Sequence, residues 1–354
     1  MTVVSDAELS KRLTKAKESP ERAWLSEVTS VVLQQALADL NTAYRNFFAS
    51  VTGTRTGRRV GPPRFRSRKD RRPAIRFTAN SRFKVLDDGH LRLPKIGDVE
   101  VRWSRRLPSE PSSVTVIRDA AGRFFASFVV EVDPRPLPET DAECGIDLGL
   151  GHFAVLDDGT KVSAPRFLRR AERKLKRAQR DFSRKQRGGK NREKARVRLA
   201  RAHAHVADAR RDFHHQLSTK LIRENQAVYV EDLAVKGLAQ TRLAKSVHDA
   251  GWASFVNMLE YKARLYGRTV EKVDRFAPTS KTCSVCGVKD GPTSLAVRVW
   301  TCAVCGSVHD RDVNAARNIA ARGRREARNA RGGRVRPAAT LAPACEAGSH
   351  RGAA

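Results

Sequence analysis

The chain has 354 residues, enough for two or three domains, and its 40% hydrophobic content is sufficient for ordinary buried cores. Its formal net charge of +31 far exceeds what solubility requires and predicts a polyanionic partner, which favours nucleic acid. No apolar run approaches the roughly 18 residues that span a bilayer, and the N-terminus has no apolar segment, so the sequence predicts a cytoplasmic protein without a membrane partner.

The N-terminal part, residues 1–72, predicts a helical segment followed by a basic loop. Residues 20–50 carry large apolar side chains at helical spacing behind Ser19 and Pro20, which predicts one long amphipathic helix. The stretch "TGTRTGRRVGPPRFRSRKDRRP" has no periodicity and is interpreted as an Arg-rich loop.

Residues 73–133 change to short alternating runs such as "AIRF", "HLRL" and "SVTVI", separated by turn sequences such as "DDGH" and "AAGR". Strands at such close spacing predict a small β-barrel. The Pro-rich, acidic stretch "DPRPLPETDAE" that follows predicts a domain boundary.

The segment after the boundary predicts an α/β domain over residues 134–282. Its first strand alternates Ile146 and Leu148 against Asp147, so the carboxylate points to the face opposite the apolar pair. Residues 165–225 show apolar positions three and four apart on both sides of "RGGK", which predicts an antiparallel helical hairpin. Its outer faces are crowded with Arg and Lys, and repulsion between them predicts an anionic partner along the hairpin.

A second strand, "QAVYV", ends at Glu231 and Asp232, and a helix, a third strand and a final helix near "DRDVNAARN" follow. This order is compatible with an RNase H-like α/β fold, which would bring Asp147, Glu231 and Asp312 to one point. Three carboxylates suit a pair of Mg²⁺ ions that hydrolyse a phosphodiester, because Mg²⁺ prefers hard oxygen ligands.

Four of the six cysteines form C-x₂-C-x₁₅-C-x₂-C, a spacing typical of a zinc ribbon. The predicted Zn²⁺ ligands are Cys283, Cys286, Cys302 and Cys305. Four thiolates complete a tetrahedral ion, so the sequence predicts a structural role for it. His309 is expected to pack or form hydrogen bonds nearby, and Cys144 and Cys345 are interpreted as ordinary thiols.

The motifs "GIDLGLGHFAVLDDG", "VYVEDLAVKGL" and "WTCAVCGSVHDRDVNAARNIAA" together resemble those of the TnpB (OrfB) family of insertion sequences, relatives of the type V CRISPR effectors. The resemblance covers about residues 20–325. It implies an RNA-guided DNA endonuclease with a RuvC-type domain, an inserted zinc ribbon, an N-terminal barrel and a helical recognition segment. It also implies that Asp147, Glu231 and Asp312 are the three RuvC carboxylates, and that the guide RNA comes from the transposon end and pairs with target DNA.

This resemblance divides the chain further, into a ribbon at 283–306, a last RuvC helix at 307–325 and a disordered basic tail at 326–354. Members of the family usually open with a strand and helix that complete the barrel. Here the chain begins almost directly at the later helix, which points to a truncated or a mis-assigned start and leaves reading of the target-adjacent motif open, but not the nuclease chemistry.

Three other functions share part of this pattern. A nuclease-inactive RNA-guided repressor should lack one carboxylate, but all three are present. A DDE-type transposase also uses acidic residues on an RNase H-like fold but is not expected to carry a ribbon before its last acidic helix, and a zinc-ribbon transcription factor needs no acidic triad. Asp310 and Asp312 both remain candidates for the third carboxylate, with Asp312 favoured because a helix start stabilises a carboxylate.

Overall fold

The computed structural model describes residues 4–64, 72–294 and 296–332, with side chains up to residue 327. Part of the Arg-rich loop (65–71) and the predicted tail from residue 333, including Cys345, lie outside the described residues. The chain divides into two compact units, the first ending at Val132 and the second beginning at Asp133.

The first unit opens with helices α1 (Asp6–Glu18) and α2 (Ser30–Val51), separated by a 3-10 helix at Pro20–Ser26. The prediction of one continuous helix over 20–50 is therefore wrong. Thr29 breaks it, because this residue is extended (φ −57°, ψ 127°) and its hydroxyl donates a hydrogen bond to the Pro94 carbonyl at 2.8 Å. Periodicity along the chain contains no sign of this long-range contact.

Six strands follow in the first unit: β1 (Ala74–Thr78), β2 (Lys84–Val85), β3 (Leu91–Leu93), β4 (Gly97–Val99), β5 (Ser113–Arg118) and β6 (Phe124–Val129). They form two separate three-stranded antiparallel sheets, in the orders β1-β5-β6 and β2-β3-β4. Phe77, Leu91 and Val114 form the centre of this unit's core. The predicted barrel is wrong, because in the described part of the chain no ladder joins the two sheets into a closed ring. Alternation predicts that strands exist, but not which strands pair.

The second unit is built on a mixed sheet of β7 (Glu143–Asp147), β8 (His152–Leu156), β9 (Lys161–Ser163), β10 (Ala227–Glu231) and β11 (Thr269–Val273). The strand order is β11-β10-β7-β8-β9. Strands β7, β10 and β11 are parallel, whereas β8 and β9 continue from β7 as antiparallel neighbours. Parallel strands end at the same edge of a sheet, so β7 and β10 deliver their last residues to one place.

The remaining elements of this unit are α3 (Phe167–Arg184), α4 (Lys190–Glu224), α5 (Val235–Leu238), α6 (Ala244–Ala250), α7 (Trp252–Tyr266), β12 (Val299–Thr301), β13 (Val308–Asp310) and α8 (Arg311–Gly332). Helices α3 and α4 form the predicted antiparallel hairpin, whose seam buries Leu175, Ala202 and Val206. Helix α8 continues past residue 325, where the disordered tail was predicted to begin. An i,i+4 ion pair between Arg322 and Glu326 at 2.9 Å supports this extension.

The two faces of the mixed sheet are covered by different helices. Ile146, Val228 and Val230 point to one face and pack in the core with side chains of α4 and α7. Ala227 and Tyr229 point to the other face, against Ile319 and Ala320 of α8. Because side chains alternate along a strand, Asp147 and Glu231 lie on the α8 face, as the sequence predicted for Asp147.

Among the described helices, none combines the length and the apolar composition that crossing a membrane requires.

Candidate active site and metal centre

Two of the predicted carboxylates end neighbouring parallel strands. Val230 of β10 pairs with Ile146 of β7, so the next residues along each strand, Glu231 and Asp147, are neighbours at the carboxyl edge of the sheet. Both are only partly buried, at the end of strands whose preceding residues are fully buried. The apolar strands thus fix the backbone, and the edge leaves the acidic groups accessible.

The third carboxylate reaches this edge because α8 lies unusually close to β7. A Cβ atom on Gly145 would be 2.3 Å from the Ala316 carbonyl oxygen and 2.7 Å from the Ala320 nitrogen, so only glycine permits this contact. Asp312 lies one turn before Ala316, and Asp147 lies two residues after Gly145 on the same strand face. The contact at Gly145 therefore sets Asp312 opposite Asp147.

The pKa of Asp147 reflects the proximity of the other two carboxylates. Burial, together with the negative charges of Asp312 and Glu231, raises the pKa of Asp147 to about 7, while Arg311 and Arg298 oppose the shift. Burial, together with the neighbouring Asp232, also raises the pKa of Glu231. The structure thus places Asp147 and Glu231 at the ends of neighbouring strands, with Asp312 close enough to Asp147 for its charge to raise the pKa of Asp147. Within the described residues, the four cysteines of the ribbon are the one group whose possible ligand atoms all lie within 4.8 Å of one another.

Asp310 and Asp312 take different positions although they are two residues apart. Asp310 ends β13, and its Oδ1 accepts hydrogen bonds from the backbone N–H groups of Asp312 and Val313, both at 3.1 Å. Its Oδ2 pairs with Lys161 Nζ at 2.6 Å. Burial opposes ionisation of Asp310, but the bonds from Lys161 and the backbone outweigh it and lower its pKa. Asp310 is therefore the N-cap of α8, whereas Asp312 lies in its first turn.

Two basic side chains border the cluster and were not predicted from the sequence. Arg298, just before β12, places its Nη1 3.2 Å from Asp312 Oδ1 and is 64% exposed. Lys161, in β9, pairs with the capping carboxylate of Asp310. Neither belongs to a motif, and only the tertiary structure distinguishes them from the many other cations of this chain.

The four cysteines of the predicted ribbon come together beside the start of α8. The Sγ atoms of Cys283, Cys286, Cys302 and Cys305 all lie within 4.8 Å of one another. Such a set of four thiols can hold one metal ion, and the donor type and number match a tetrahedral structural zinc site. This cluster is well suited to Zn²⁺, and all four cysteines of the ribbon belong to it.

His309 has the packing role that the sequence predicted for it. Its Nε2 lies 3.0 Å from Cys283 Sγ, and its ring lies against Trp300 with the ring centroids 4.7 Å apart. Both rings are nearly inaccessible to solvent, and they form the core of the ribbon together with Cys283 and Cys302. A hydrogen bond to a ligating sulfur orients that sulfur and tunes its basicity.

Asparagines in α8 join the ribbon to the helix. Asn314, which is 1% exposed, accepts a hydrogen bond from the Ser284 amide at 2.9 Å and donates to the Thr282 carbonyl at 2.8 Å. Asn318 donates to the carbonyls of Thr279 and Thr282, at 2.7 and 2.6 Å. The first cysteine turn is therefore tied to the same helix turns that carry Asp312.

The sequence of this chain matches two family models and several known proteins. The model of the OrfB_IS605 family, described as "Probable transposase", matches residues 127–242, and that of the "Cas12f1-like, TNB domain" family matches residues 252–319. A protein of Streptomyces pristinaespiralis named "Putative RNA-guided DNA endonuclease" is 47% identical over 324 residues, which cover 90% of this chain and 78% of that protein. The Escherichia coli protein "Putative RNA-guided DNA endonuclease InsQ" is 30% identical over 328 residues, covering 88% of this chain and 79% of that protein.

A solved structure, "Cryo-EM structure of the Cas12f1-sgRNA-target DNA complex", aligns with 89% of this chain and 79% of the other at 14% identity and a TM-score of 0.47. The sequence relatives are much closer and carry the assignment. The chain belongs to the transposon-associated OrfB family of TnpB-like proteins, whose curated relatives bear the name RNA-guided DNA endonuclease.

Proposed function

We propose that this protein is an RNA-guided DNA endonuclease of an insertion sequence, and that it hydrolyses phosphodiester bonds at Asp147, Glu231 and Asp312. The observation that carries the proposal is the convergence of these carboxylates from β7, β10 and α8 at one edge of the sheet. A RuvC-type, RNase H-like domain is the corresponding fold. Its support is the strand order β11-β10-β7-β8-β9, with α8 packed against β7 at Gly145.

The carboxylate cluster fits Mg²⁺ by its chemistry. Its donors are hard oxygens, which Mg²⁺ prefers. Burial and then the charges of Asp312 and Glu231 raise the pKa of Asp147, and a bound cation would offset both effects. When bound there, Mg²⁺ supplies activation of water and neutralisation of charge on the phosphate and the leaving oxygen.

The surrounding residues position this cluster. Gly145 allows α8 to approach, Asp310 caps the helix that carries Asp312, and Lys161 holds Asp310. Arg298 lies beside Asp312, so a cationic guanidinium is available next to the position of a bound phosphate. The apolar strands behind the carboxylates keep their backbone fixed and exclude water from one side of the site.

The ribbon serves the active site through structure. With Zn²⁺ held by Cys283, Cys286, Cys302 and Cys305, strand β13 runs directly from the cysteine turns into the cap of α8. The hydrogen bonds of Asn314 and Asn318 make a second link. Zinc therefore acts on catalysis by fixing the start of α8.

The basic surface is the proposed nucleic-acid interface. Solvent-exposed cations lie along α3, which follows directly after the sheet hairpin: Arg169, Arg170, Arg173, Lys174, Lys176, Arg177, Arg180 and Arg184. Only Glu172 and Asp181 oppose them on this helix. We assign this surface to the backbones of the guide RNA from the transposon end and of the heteroduplex with target DNA.

The test is reconstitution. The protein is expressed with its transposon-end sequence, the RNA that co-purifies is sequenced, and the complex is given Mg²⁺ and DNA complementary to the RNA. We expect cleavage by the wild type and none by Asp147→Ala, with equal RNA content. RNA-guided binding without cleavage by the wild type would instead identify a repressor and overturn the nuclease assignment.

A further inference from the structure

Phe276 is the most exposed of the large apolar side chains in the described residues, at 87%. It lies in the turn after β11, in the stretch "DRFAPTS". A single exposed apolar residue is ordinary on a protein surface. Phe276 differs from such residues because it lies near the carboxylates and because hydrogen bonds hold the backbone of its turn.

Phe276 lies in the turn that follows β11, at the same edge of the sheet as the carboxylates. Val273, the last residue of β11, pairs with Glu231, and Phe276 follows three residues later. The next residue after Glu231, Asp232, holds this turn: its backbone N–H donates to the Val273 carbonyl at 3.0 Å, and its Oδ2 pairs with Arg275 at 2.5 Å. The loop that presents Phe276 is therefore fastened to the strand end that presents Glu231.

The turn is also ordered from within and at its far end. Asp274 Oδ1 accepts a hydrogen bond from the Phe276 amide at 2.9 Å, and the Asp274 carbonyl accepts one from the Ala277 amide at 3.0 Å. Farther along, the Thr279 carbonyl accepts a hydrogen bond from Asn318 of α8 at 2.7 Å. The backbone is fixed on both sides while the ring remains in solvent.

We propose that Phe276 stacks on an unpaired base of the DNA strand whose phosphate lies at Asp147, Glu231 and Asp312. An aromatic face offers a base a stacking surface that tolerates any sequence, and cleavage guided by RNA requires such tolerance at the site of hydrolysis. A base within a duplex has both faces covered by its neighbours, so the ring selects a strand that is single at this point. Arg275, next to Phe276 in the chain, and Arg298, beside Asp312, favour the backbone of the same strand. The proposal rests on the nuclease function proposed above.

The test compares RNA-loaded wild type, Phe276→Ala and Phe276→Trp on single-stranded DNA in single-turnover cleavage. Phe124→Ala is the matched control, because Phe124 is another strongly exposed phenylalanine, 68% accessible, in the first unit. We expect Phe276→Ala to raise the DNA concentration that gives half of the maximal cleavage rate by about 10- to 100-fold, as loss of one stacked base does. Phe276→Trp and Phe124→Ala should stay near the wild type. Thermal midpoints should not change in any variant, since the ring has almost no buried surface to lose.

A substrate series with one abasic position moved along the strand separates stacking from other roles. At one position, the abasic site should weaken cleavage by the wild type as much as Phe276→Ala weakens cleavage of the intact strand. Cleavage of that abasic substrate by Phe276→Ala should be no weaker than with either change alone. Independent, additive effects, or wild-type behaviour of Phe276→Ala, would overturn the proposal.

A binding measurement distinguishes this proposal from the nuclease assignment. In an Asp147→Asn background, 2-aminopurine is moved along the strand one position at a time; at one position it should be quenched on binding, and Phe276→Ala should abolish that quenching. If the wild type fails to cut but the quenching is found, the nuclease function fails and the stacking stands. If the wild type cuts and the quenching is the same with and without the ring, the stacking fails alone.

Discussion

The carboxyl group of Asp147 combines burial with two negatively charged neighbours, and its pKa therefore rises to about 7. In the unfolded chain the same group ionises near its ordinary value of 3.8. Between these values the unfolded state releases its proton first, so the Asp147 contribution to the stability of the metal-free protein is present below pH 4 and is lost as the pH rises to 7. The burial and negative charge around Asp147 therefore destabilise the protein at neutral pH when no cation is bound there.

We expect Asp147→Asn to raise the free energy of unfolding of the protein at pH 8, in buffer without Mg²⁺, by about 2 kcal/mol. At pH 4 the variant and the wild type should differ little. Urea denaturation at both pH values measures the difference. A variant that is less stable than the wild type at pH 8 would show that the carboxylates do not repel one another.

The close contact between β7 and α8 at Gly145 can be tested by adding one methyl group. The Cβ of Gly145→Ala would overlap the Ala316 carbonyl oxygen at 2.3 Å, which must push α8 away from β7. We expect a loss of about 1–3 kcal/mol of stability and a severe loss of cleavage, because Asp312 moves with the helix. Gly151→Ala is the control, since its Cβ would meet nothing within 4 Å. Equal cleavage by the two variants would contradict the close-contact argument.

At the scale of elements, the sequence predicted those whose signal is local and repeated. The hairpin of α3 and α4 follows from apolar positions three and four apart along each helix and a Gly-Gly turn, and the structure confirms it. The convergence of Asp147 and Glu231 follows from strands that end in acidic residues. The break at Thr29 and the open sheets of the first unit could not be predicted, because each depends on which distant segment supplies the partner.

Within the hairpin, His214 is an acid-sensitive position. Burial lowers its pKa to about 4, against the opposing effect of its hydrogen bond to the Ala250 carbonyl at 2.9 Å. Its contribution to stability is complete above pH 6.5 and is lost as the pH falls toward 4, where the folded state must accept a buried charge. We expect the free energy of unfolding of the wild type, relative to His214→Gln, to fall by about 2–3 kcal/mol over that range. A flat difference curve would contradict the burial effect.

The ribbon makes the second prediction at this scale. We expect one Zn²⁺ per chain by elemental analysis, lost in Cys283→Ser and Cys302→Ser, because structural zinc contributes on the order of 10 kcal/mol to the order of such a domain. Cys144→Ala should keep its zinc, since this buried thiol of β7 lies outside the cysteine cluster. Full cleavage activity of zinc-free wild-type protein would show that the ribbon does not support the active site.

For the whole molecule, the net charge of +31 predicts that the proposed guide RNA also stabilises the protein in solution. Each phosphate contact releases a counterion, so RNA affinity should fall by several orders of magnitude between about 50 and 200 mM salt. Filter binding at several salt concentrations measures this slope. Replacing Arg173, Arg177 and Arg180 of α3 by Gln should make the slope shallower, whereas Asp312→Ala should leave it unchanged. If the α3 changes do not alter the salt dependence of RNA affinity, RNA binds to another surface of the protein.

We propose that Asp312, in the first turn of α8, joins Asp147 and Glu231 as the third catalytic carboxylate, while Asp310 caps the helix. The most direct measurement is Mg²⁺-dependent cleavage by RNA-loaded Asp312→Ala and Asp310→Asn, matched for zinc and RNA content. Asparagine keeps the capping oxygen that accepts from the Asp312 and Val313 amides, so Asp310→Asn should still cut, with a modest loss. We predict no cleavage by Asp312→Ala. Cleavage by Asp312→Ala together with an inactive Asp310→Asn would contradict the assignment, and normal cleavage by both would remove α8 from the active site.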